Sequence, residues 1–171
     1  MTQAIAHVVN RLVIDTGHTF DDVRQRYESL VPTIDFAELV EVIQTGDLAR
    51  LQAYTAEHTP QSFAIYATLD PMPVMGLSGH QRRAITYLMG NNVIAETMFR
   101  HDPGIILYAP LRTAIYETSP GHAQFSIDQP STKFASFDDP RIAEVGAQLD
   151  AKLADLLRHM SLPVPPELTT A

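Results

Sequence analysis

The stretch Leu111-Arg112-Thr113-Ala114-Ile115-Tyr116-Glu117-Thr118, followed beyond Ser119-Pro120-Gly121-His122 by Ala123-Gln124-Phe125-Ser126-Ile127, decides the fold. It reads as two strands joined by turn residues, a β-hairpin whose linker is longer than an ideal two-residue turn. Asp128-Gln129-Pro130-Ser131 then breaks the second strand. Asp138-Asp139-Pro140 opens a final helix, with proline at a favoured early position. That helix carries the longest amphipathic pattern in the chain: Ile142, Val145, Leu149, Leu153, Leu156 and Leu157. Three prolines follow Ser161, so 161–171 reads as an irregular tail.

Upstream of the hairpin, Arg83 to Met89 reads as a strand, Gly90-Asn91-Asn92 as a turn, and Val93 to Arg100 as a helix. Phe63 to Leu69 is a further strand, and Ile5 to Ile14 the first. The two prolines in Asp70-Pro71-Met72-Pro73-Val74-Met75-Gly76 exclude a central strand there. Thr19 caps a helix that ends before Pro32; Asp35 and Asp47 open two more, with Gly46 between them. The pattern implies a single α+β domain over 1–160: a two-layer sandwich with an antiparallel or mixed sheet of four to five strands and helices on one face. Residues 32–58 read as a helical elaboration at its edge. The uncovered sheet face calls for a second copy, hence a homodimer.

The 171 residues carry 12 Lys+Arg against 20 Asp+Glu, a net charge of −8. That sign disfavours nucleic acid as a partner. Cysteine is absent, which removes disulfides, thiolate metal sites and cysteine nucleophiles together. No apolar run approaches the ~20 residues of a membrane span. No signal peptide is visible at Met1-Thr2-Gln3-Ala4, so the expected location is cytoplasmic.

The run Gly90-Asn91-Asn92-Val93-Ile94-Ala95-Glu96-Thr97-Met98 resembles the family called domain of unknown function 302, small bacterial and archaeal proteins. The resemblance continues through His101-Asp102-Pro103, Ala109-Pro110-Leu111-Arg112, Ile115-Tyr116-Glu117 and Asp128-Gln129-Pro130-Ser131. It implies a two-layer α/β fold with an antiparallel sheet, commonly dimeric, and no established reaction. Asn92 departs from the family pattern, which usually has proline there, and 32–58 is longer and more helical than a minimal member needs.

Seven histidines and no cysteine direct attention to imidazole. His101 beside Asp102, and His80 in a loop, are candidate catalytic groups, and the candidate ligands if a haem or a histidine-bound metal is present. The competing reading of His101-Asp102-Pro103 is plain helix termination. No His-x-x-x-His or His-Glu-x-x-His spacing occurs. Arg112 on a strand needs a carboxylate, from a ligand or from Glu117, Glu96 or Asp128. Met72, Met75, Tyr87 and Tyr116 complete the ligand-binding candidates; Met89, Met98, Phe63 and Tyr66 read either as further walls of an apolar cavity or as plain core, with Pro71 to Gly79 as a lid.

Three functions follow. The first is a domain that binds a small, largely apolar ligand, with or without a carboxylate, in a pocket between sheet and helices. The second is a haem-dependent, metal-dependent or histidine acid–base enzyme. The third is a homo-oligomeric interaction module. Convergence of His80, His101 and Arg112 on one cavity is what favours a polar site.

Overall fold

A computed structural model describes residues 2–169. Five strands form one fully antiparallel sheet: β1 (Arg11–Asp15), β2 (Ala64–Leu69), β3 (Ala84–Gly90), β4 (Leu111–Ser119) and β5 (His122–Asp128), in the order β1-β5-β4-β3-β2. The sheet does not close into a barrel, and the described residues add seven α-helices: α1 (Phe20–Leu30), α2 (Phe36–Gln44), α3 (Leu48–His58), α4 (Met72–Met75), α5 (Asn92–Phe99), α6 (Pro130–Phe134) and α7 (Pro140–His159). The α+β class read from the hairpin and the final helix is the class observed.

The hairpin is tighter than its linker suggests. Ser119 pairs with His122, leaving a loop of Pro120 and Gly121 alone. Proline presets the first loop position and Gly121 supplies φ +80° at the second. An irregularity between Glu117 and Ser119 absorbs the mismatch with the strand twist.

The first strand is shorter than expected. Arg11 pairs with Asp128, the last residue of β5, so upstream backbone has no strand to pair with. Ile5 and Val8 are accordingly 62% and 82% exposed. The chain from Pro32 to Ile34 runs beside β2: Ile65 donates its N–H to Pro32 at 2.8 Å, and Ile34 donates to Ile65 at 2.9 Å. This covers part of an edge that would otherwise invite foreign strands. Helices α2 and α3, each capped by an aspartate side chain, enclose a small cluster of Ile34, Leu39, Val42, Tyr54 and Ala64.

Strand alternation sorts side chains onto two faces. Leu12, Ile85, Tyr87, Ile115 and Phe125 are buried beneath α1 and α7. Ile142, Leu149, Leu153, Leu156 and Leu157 form the inner stripe of α7, and Val145 is half-buried against it. Each large side chain in that stripe stabilises by about 1.5–3 kcal/mol. Leu162 and Leu168 beyond the helix are also buried, so the described part of the tail packs on the core. The other sheet face carries Arg11, Val13, Thr86, Leu88, Arg112 and Ala114, and none of these is buried.

Candidate functional site

The Gly90-Asn91-Asn92 turn sits where β3 hands the chain to α5. Asn91 is the N-cap: its Oδ1 accepts from the N–H groups of Val93 at 3.0 Å and Ile94 at 3.1 Å. Its Nδ2 donates to Thr59 Oγ1 and the Ser62 carbonyl, tying α5 to the α3–β2 connection. The cap residue, not a flexible loop, sets the angle of α5. Asn92 is the first helical residue, where proline is favoured but asparagine keeps its N–H.

Beneath α5 lies a cavity of about 360 Å³, within the ~300–1,000 Å³ typical of small-molecule sites. Its wall is made by the Gly90–Asn92 turn and α5, by Ile105 and Ile106 in the turn after α5, and by Ala109-Pro110-Leu111. Phe63, Phe134 and Leu149 close the inner side. Two separate stretches of the family resemblance thus meet around one apolar space.

Tyr66 is its polar feature. The β2–β3 register slips between Ile65 and Ala67, so Tyr66 is the bulged residue and its side chain leaves the normal alternation. The ring lines the cavity beside Gly90, where a Cβ would lie 3.5 Å from Tyr66 Cε2. Among the described residues its hydroxyl is the one buried side-chain polar atom without a hydrogen bond. Burial pushes its pKa up; the Asn92 backbone N–H faces it and offsets this in part, without reaching hydrogen-bond geometry.

The three polar candidates do not share a cavity. His80 is exposed on the β2–β3 connection and lines neither cavity described here. His101 follows α5, with its backbone N–H donated to Met98 at 2.9 Å. Asp102 next to it caps the turn Pro103–Leu107 by accepting from Gly104 N–H at 2.7 Å. That is the geometry of helix termination. Arg112 projects from β4 onto the uncovered face, where it lines a second cavity of about 560 Å³. The separation has a simple cause: α5 packs on the covered side, and strand alternation sends Arg112 to the other.

The apolar candidates also scatter. Met72 and Met75 lie on the short α4, and Met75 is 46% exposed; neither lines the apolar cavity. The Pro71–Gly79 segment therefore does not close it. Tyr87 is fully buried, which raises its pKa, and the hydrogen bond it donates to Glu28 Oε1 at 2.8 Å raises it further. Tyr116 is half-buried on the uncovered face, opposite Gln124. No three His, Asp or Glu side chains among the described residues are grouped to hold a metal ion.

Sequence reading offered Tyr66 as a wall of an apolar cavity or as plain core, but not as the polar group of the cavity. A bulge depends on the partner strand and leaves no local signal. Leu149 was legible as core, but not as a cavity wall.

These features define an α+β two-layer domain with an apolar cavity at the turn between its third strand and fifth helix. The family model for domain of unknown function DUF302 matches residues 49–160, and the chain belongs to that family. A crystal structure of an uncharacterized conserved DUF302 protein from Bacillus stearothermophilus has the same fold, with a TM-score of 0.63 and 12% sequence identity. The likeness covers 88% of this chain and 97% of that one. No match is found among the curated proteins.

Proposed function

We propose that this protein binds a small, largely apolar molecule in the cavity beneath α5, and that the Tyr66 hydroxyl meets the ligand's one oxygen. The observation that carries this reading is the unpartnered hydroxyl inside an apolar cavity. A buried hydroxyl left unpaired costs about 1–3 kcal/mol. A ligand carbonyl or carboxylate oxygen recovers that cost by accepting from it, with the Asn92 N–H as a second donor. Asparagine in place of the family's usual proline keeps that donor. The same reading includes a homodimer.

The test is mass spectrometry of small molecules released from purified protein, wild type against Ala95→Phe. Ala95 lines the cavity, and phenylalanine there takes up part of it beneath α5. An apolar molecule released from the wild type and missing from the variant supports the reading. Equal yields from a folded variant, or no molecule released and no binding from a panel of apolar carbonyl compounds, refute it. Light scattering at the mass of one chain across a wide concentration range refutes the dimer.

A further inference from the structure

The second cavity lies on the other side of the sheet and has a different character. Its floor is the uncovered face at Leu88, Arg112, Ala114 and Ser126. Its rim is the turn residues Ile106 and Leu107, which are 65% and 75% exposed. Arg11, Arg112 and Lys133 contribute three cations against the single carboxylate of Asp128. This local excess of positive charge occurs in a chain whose net charge is −8.

The charges are not equivalent. Lys133 Nζ is 3.0 Å from Asp128 Oδ2 and sits over the Tyr108 ring, 5.1 Å from its centroid. Arg11 Nε reaches the same carboxylate only at 4.0 Å and is 76% exposed. The Arg112 side chain makes no hydrogen bond or ion pair with any described residue. The one carboxylate in the groove, Asp128, is paired with Lys133, while Glu96 and Glu117 lie on the covered side with Arg100 and Arg83. A guanidinium in a groove beside apolar walls, held by no internal partner, is free to pair with an external anion.

We infer that this groove is a second binding site, separate from the cavity beneath α5, for a small amphipathic anion. Its carboxylate or phosphate pairs with Arg112, with Arg11 as the outer cation, and its apolar body lies against Ile106, Leu107 and Leu88. The two sites lie on opposite sides of the 103–110 strap, whose Ile106 and Pro110 line both.

Isothermal titration calorimetry with octanoate and octyl phosphate, against octanol and inorganic phosphate, tests this on the intact protein. At least one of the two amphipathic anions should bind, more tightly than either control, and weaken as salt rises. Arg112→Gln should weaken it about tenfold or more and Arg112→Lys less, because a bidentate charge-assisted pair becomes a point charge or nothing. Preference for octanoate or for octyl phosphate assigns the headgroup. Arg112 is exposed and unpaired, so unchanged thermal melts should accompany these variants. Ala95→Phe should leave the anion's affinity unaltered, which separates this site from the apolar cavity. The inference is overturned if neither anion binds, if Arg112→Gln binds as the wild type does, or if inorganic phosphate or octanol binds equally well. It is also overturned if Arg112→Gln dissociates a dimer while neither anion binds, because Arg112 is then an interface residue.

Discussion

Arg83 donates three hydrogen bonds to the carboxylate of Glu117: its backbone N–H to Oε2 at 2.9 Å, Nε to Oε1 at 3.2 Å, and Nη2 to Oε1 at 2.8 Å. The same guanidinium pairs with Asp21 and lies 4.7 Å from the Phe20 ring centroid, so it joins β3, β4 and α1. Glu117 lies an odd number of residues along β4 from Arg112, so alternation sends the two side chains to opposite faces of the sheet.

Hydrogen bonds from the Arg83 side chain, and then from its backbone N–H, hold the Glu117 carboxyl below its ordinary value. The pair therefore stabilises the fold fully above the unfolded carboxyl pKa of about 4.3, and that contribution is lost as pH falls through the lower folded value. Thermal melts should show the wild type ahead of Glu117→Gln at neutral pH, with the gap closing below about pH 4. A gap that stays constant down to about pH 2 would show that the carboxylate's charge is not what stabilises.

Gly146 lets α6 and α7 touch. A Cβ at that position would lie 3.0 Å from Ser131 Cα and 3.1 Å from Phe134 Cβ, against backbone on one side. Alanine is favoured over glycine in a helix by about 1 kcal/mol. Here the clash should win, and Gly146→Ala should destabilise by about 1–3 kcal/mol in urea. A stabilised variant would mean that α6 shifts freely.

Leu149 and Leu153 are both buried on α7, but Leu149 borders the apolar cavity and Leu153 does not. A side chain with space on one side has fewer contacts to lose. Leu153→Ala should cost about 3–5 kcal/mol and Leu149→Ala nearer 2 kcal/mol, measured by denaturant unfolding. Equal costs would argue that the cavity is closed against Leu149 in solution.

Tyr66→Phe removes the unpartnered hydroxyl without changing the ring. In protein freed of ligand it should raise stability by about 1 kcal/mol, because a buried group without a partner disappears. Ligand affinity should fall in the same variant. A loss of ligand-free stability would show that the hydroxyl does find a protein or water partner in solution.

The sequence by itself determined the layers. The β4–β5 hairpin, the α7 stripe, the aspartate caps and the prolines act through neighbours within a few residues, so their effects can be read locally. The same holds for His101-Asp102-Pro103, whose helix-ending geometry is local. The family motifs were legible for a related reason: Asn91 and Asp102 each cap the element that begins beside them. What only the tertiary structure decided is which of these residues share a space. The end of β1 follows from where β5 runs out of backbone, at Asp128. The aim of Tyr66 follows from a register slip against β3. Each depends on a partner distant in sequence, and a pairing between distant segments leaves no periodicity in either of them.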